Sequence, residues 1–106
     1  MTQEPERTIR LVAGDDRWYV DARLASSGNL VFDGRDLGGP YAEYEWGWTF
    51  TPSSFPLIRF ALGGEPGDDV LDLVQEAFAD KGFRDPGAWL HKEKGVPAEF
   101  WSRIEP

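Results

Sequence analysis

Four aromatic side chains on alternate residues, Tyr44, Trp46, Trp48 and Phe50, restrict the folds open to this chain more than any other feature. A β-strand sends successive side chains to opposite faces. The four rings therefore share one face, and Glu43, Glu45, Gly47 and Thr49 share the other. Thr51-Pro52-Ser53-Ser54 ends the alternation, and Phe55, Ile58 and Leu62 then recur at helical spacings of three and four before Gly63-Gly64. A strand with an aromatic face, followed at once by a helix with an apolar side, predicts a sheet with helices laid on it.

The rest of the chain supplies further strands and helices. Residues 7–13 and 17–25 alternate apolar and polar, with Trp18, Val20, Ala22 and Leu24 on one side. Gly14-Asp15-Asp16 and Ser26-Ser27-Gly28-Asn29 have turn chemistry, Leu30 to Phe32 opens a third strand, and residues 33–40 read as a loop. Gly47 inside the aromatic strand calls for a bulge or for a ring laid over its bare backbone, with Trp18 or Tyr19 as the candidate ring. A second helix is expected from an Asp68 N-cap to Lys81, with Gly82 as its C-cap and Val70, Leu71, Leu73, Val74, Ala77 and Phe78 buried. A third runs from Pro86 to Lys94 and stops at Gly95. Residues 96–104 fit either an extended edge segment or a short helix. Short connections favour a meander. The expected fold is an α+β domain spanning residues 1–106: a four- or five-stranded antiparallel sheet with two or three helices packed on one face. Residues 1–6 are expected to be disordered.

Composition removes several functions. Without cysteine there is no disulfide, thiol nucleophile or thiolate metal site. The formal charge is −8, divided equally between residues 1–53 and 54–106, and such a surface repels phosphate backbones and anionic lipid. No apolar run is long enough for a signal-peptide core or a membrane span, so a cytoplasmic location is expected.

Catalytic motifs are equally scarce. His91 is the only histidine, beside Lys92 and Lys94 where positive charge suits a helix C-terminus, and no nucleophile motif accompanies it. Asp33 and Asp36 enclose an arginine and lack the ligand alternation of an EF-hand loop. The glycines before Asp68-Asp69 suggest a phosphate loop only until those carboxylates are placed where phosphate would sit. No cofactor, metal or catalytic residue is expected. The more informative set is Asp68, Asp72, Glu76 and Asp80, four residues apart and thus one stripe on a continuous helix. The stripe is either a solvated face or a docking surface for a basic protein, with Glu43 and Glu45 as further contacts. A rival class is a ligand pocket or enzyme site between the aromatic strand and the helices, lined by Trp46 or Trp48 and Arg59. A third is pairing through an exposed sheet edge.

From Tyr44 onward the order of features resembles a group of small acidic bacterial proteins of immunity-protein type. The likeness rests on the strand Glu43-Tyr44-Glu45-Trp46-Gly47-Trp48-Thr49-Phe50, the Pro-containing helix ending in Gly-Gly, the acidic-apolar segment Asp68-Asp69-Val70-Leu71-Asp72-Leu73-Val74, and Gly95-Val96-Pro97-Ala98-Glu99-Phe100-Trp101. Proteins of this type bind and silence a toxin delivered by neighbouring cells. The resemblance implies a non-enzymatic inhibitor of a basic toxin such as a nuclease, and it brings no catalytic residue with it.

Overall fold

A computed structural model describes residues 7–13, 17–37 and 43–105. The expected disorder of residues 1–6, the Gly14-Asp15-Asp16 turn and the Gly38-Gly39-Pro40 loop lie outside these residues. Five strands, β1 (Arg7–Ala13), β2 (Trp18–Leu24), β3 (Leu30–Asp36), β4 (Glu43–Phe50) and β5 (Glu99–Glu105), form one antiparallel sheet in sequence order. Between β4 and β5 the chain makes a 3-10 turn (Pro52–Ser54), then α1 (Phe55–Ala61), α2 (Val70–Phe78) and α3 (Pro86–Ala88), which continues as a π-helical turn (Trp89–Glu93).

The alternation on β4 sets the two faces. Cross-strand partners share a face, so Ala22, Phe32, Trp48 and Phe100 form one row beneath the helices and Gly34, Trp46 and Ser102 another. Helix α2 covers β1 and β2 through Val70, Leu71, Val74 and Phe78, and α3 covers β4. The core closes around Phe32, Phe50 and Phe78, each no more than 1% exposed.

Two glycines make the aromatic packing possible. A Cβ on Gly34 would fall 2.1 Å from the Trp46 ring, and one on Gly47 would fall 2.1 Å from Trp101 Nε1. A ring does cover Gly47, as its place in the strand demands, but it comes from Trp101 on β5, directly opposite, rather than from Trp18 or Tyr19. Gly34 overturns the loop reading of residues 33–36. They belong to β3 because Gly34 admits Trp46, while Asp33 pairs with Arg23 at 2.8 Å and Arg35 with Glu45 at 3.0 Å.

Of the two readings for the C-terminal segment, the extended one holds: β5 pairs with β4 from Glu99 to Glu105. Helix α2 is shorter than its acidic periodicity suggests. Asp69, not Asp68, is the N-cap, its carboxylate accepting the Leu71 and Asp72 amides. Asp68 instead turns its carboxylate back to the Glu65 amide at 2.8 Å. At the far end Ala79 leaves helical geometry and Asp80 takes a left-handed φ of 57°, its amide donating to Leu11 of β1.

Candidate docking surface

The six acids singled out in the sequence do not share one surface. Glu43 and Glu45 lie on the open face of the sheet, Glu45 directly opposite Arg35, and face away from the helices. That face is a lattice of alternating charge. Arg10 pairs with Asp21, Arg23 with Asp33, and Arg35 with Glu43 and Glu45; Arg103 of β5 also reaches Glu45, at 2.9 Å. The Glu45 side chain is only 12% exposed. Its desolvation favours the neutral acid, but a hydrogen bond shared with Glu43 and the charges of Arg103 and Arg35 outweigh this and hold the carboxyl below its usual value. A cleft of about 420 Å³ on this face is lined by Arg10, Tyr19, Asp21, Asp33, Arg35 and Leu37, and its charges are already matched within the sheet.

Residues 64–80 carry six acids and no Lys or Arg. Because the helix spans only Val70–Phe78, Asp72 and Glu76 are helical, while Asp68 and Asp80 occupy the turns at either end. Arg7 on β1 forks between Asp69 at 2.6 Å and Asp72 at 2.8 Å. No local pattern announces this contact, since its partners stand 62 and 65 residues apart. Those bonds raise the pKa of Arg7, the one to Asp69 most. Partial burial pushes Asp69 upward, yet hydrogen bonds from the Asp72 amide and from Arg7 prevail and leave it below the ordinary aspartate range. Glu65, Glu76 and Asp80 are exposed and, among the described residues, have no ion-pair partner.

The feature that acidic periodicity could not locate is beside this segment, on α1. Ile58 of that helix is buried, but Leu57 is 50% and Phe60 87% exposed. Pro56, Arg59, Phe60, Gly64 and Pro66 border a cleft of about 310 Å³. Arg59, one of these lining residues, donates Nε to the Asp68 carbonyl at 2.8 Å. An aromatic ring this exposed contributes little to the fold and much to an interface.

Among the described residues, the aromatic strand and α3 pack closely. Trp46 and Trp48 are 3% and 5% exposed, and a Cβ on Gly87 of α3 would meet Trp48 at 2.6 Å. His91 is part of this packing, its ring 5.2 Å from that of Trp48 and its Nδ1 2.8 Å from the Val96 carbonyl oxygen. Trp48 Nε1 is buried and, among the described residues, has no hydrogen-bond partner. Among the described residues no group of three or more His, Asp or Glu is placed to hold a metal ion, and no helix is long and apolar enough to cross a membrane. No protein family, curated protein or solved structure matches this chain.

Proposed function

We propose that this chain is a non-enzymatic acidic protein-binding domain that docks a basic protein on the surface formed by α1 and residues 64–80. The observation that carries the reading is Phe60, an 87% exposed ring bordering a segment with six acids and no base. Charge there draws a cationic partner into encounter, and a desolvated ring supplies the affinity that exposed charges do not. Asp72, Glu76 and Asp80, with Glu65 and Asp68 in the preceding loop, are the steering residues. Glu43 and Glu45 belong to the opposite face and serve the sheet.

The most concrete form of this function is an immunity-type inhibitor, in which the acidic surface fills the cationic cleft of a toxin such as a nuclease and keeps substrate out. The rival ligand-site reading draws less support, because Trp46 and Trp48 are buried and Gly87 packs against Trp48 between the strand and α3.

The test is capture from the parent cells with three immobilised baits: the unaltered chain, Phe60→Ala, and Glu76→Lys with Asp80→Lys. A basic protein held by the first bait, lost from both variants and eluted by salt supports the proposal. A partner held equally by all three refutes it.

A further inference from the structure

The two edges of the sheet are finished differently. On β1 the register shifts between Arg10 and Val12, making Leu11 a bulge, and the Asp80 amide donates to the Leu11 carbonyl at 3.3 Å. A bulge and a covering turn are the usual protections of an edge strand. On the opposite side β5 pairs with β4 alone and contains no proline; among the described residues nothing covers its outer side. It also carries half-exposed apolar side chains towards both faces: Phe100 at 50% and Ile104 at 47% on the helix face, Trp101 at 43% on the open face.

We propose that β5 is the seam of a homodimer, pairing antiparallel with β5 of a second copy to give one continuous ten-stranded sheet. The choice of occupant comes from the charges along the strand. A two-fold axis perpendicular to the sheet returns each side chain to its own face, so one residue must lie opposite itself. Centring on Arg103 opposes two arginines, and centring on Ser102 sets Glu99 against Glu105 of the second copy. Centring on Trp101 sets Glu99 against Arg103 of the second copy, twice, flanking a pair of tryptophans. On the other face Phe100 then lies diagonal to Ile104 of the second copy, within reach of side-chain contact. The strand is complementary to itself in that register.

The seam is modest in size. Phe100 and Trp101 lean over Trp48 and Gly47 of β4, so only part of their exposed area is buried at the seam; the paired backbones carry most of the contact, and the dimer dissociates on dilution. Each copy also carries the same −8 charge, which added salt screens. This seam lies on the β5 side of the sheet, whereas α2, which carries part of the acidic docking segment, covers β1 and β2.

Sedimentation equilibrium of the full chain between about 10 μM and about 1 mM, at about 0.15 M salt, tests the proposal. The unaltered chain should pass from monomer to dimer across this range. Glu99→Lys has no ion-pair partner within its own chain to lose among the described residues; it should weaken the dimer about tenfold without altering the circular dichroism spectrum. Arg103→Glu also removes a partner of Glu45 within its own chain, so its circular dichroism spectrum is checked against that of the unaltered chain; it should weaken the dimer likewise. Mixing the two variants should restore dimerisation, because each then meets an opposite charge at both flanks of the seam. A chain that stays monomeric throughout overturns the proposal. So does a dimer indifferent to Glu99→Lys, or variants that fail to rescue one another on mixing.

Discussion

Asp69 does two jobs with one carboxylate. It caps α2 through the Leu71 and Asp72 amides, holds Arg7 of β1, and thereby ties the first strand to the helix above it. Replacing it with Ala removes the cap and one arm of the fork. Loss of the cap alone costs about 0.5–2 kcal/mol, and the half-exposed ion pair adds at most about 1 kcal/mol. The pH dependence has a definite sign. The folded-state pKa is lowered, so the charge-dependent stabilisation is complete above the ordinary value of 3.8 and is lost as pH falls through the lower folded value. Urea unfolding should therefore find Asp69→Ala less stable at pH 7, with the gap from the unaltered chain narrowing below pH 3.8. A gap independent of pH would exclude this ionic role.

Among elements, the decisive contacts are rings seated on glycines, and two of these sites respond differently to a methyl group. At Gly47 an added Cβ meets the edge of Trp101, a 43% exposed ring that can swing toward solvent. At Gly87 it meets Trp48 down to its Cβ at 2.9 Å, and Trp48 is 5% exposed with Phe100 and His91 against it. Gly47→Ala should cost about 1 kcal/mol, with a shifted Trp101 indole resonance. Gly87→Ala should cost about 3 kcal/mol despite the better helix propensity of Ala. Thermal melts check the order, and the reverse order contradicts the packing described.

The same contacts explain what could and could not be read from the chain. The alternation from Tyr44 to Phe50 is local and strong, and it correctly places the aromatic face, the meander and the helices over it. Gly34 and its charged neighbours have turn chemistry, and only the ring of Trp46 across the sheet turns them into strand. Nothing local marks Trp101 as the cover for Gly47, because that contact exists only where β5 lies beside β4. Along residues 68–80 the four-residue spacing of acids presumes a helix throughout. Asp69 competes successfully for the cap, and the Leu11 carbonyl takes the amide of Asp80, so the stripe is broken at both ends.

For the molecule as a whole, the distribution of charge matters more than its sum. On the open face of the sheet Arg10, Arg23, Arg35 and Arg103 are matched with Asp21, Asp33, Glu43 and Glu45, and among the described residues the excess negative charge is concentrated in residues 64–80. Phe60 stands at the border of that segment with 87% of its surface in water. Salt should consequently weaken partner binding while leaving the packed core largely unaffected. Titration calorimetry of the captured partner against the unaltered chain and Phe60→Ala, each at low and physiological salt, tests the docking surface most directly. The account predicts an unchanged melting temperature for Phe60→Ala, an affinity lower by at least about 2 kcal/mol (roughly thirtyfold), and a further loss in both proteins as salt rises. Equal affinity of the two chains, or affinity indifferent to salt, would contradict it.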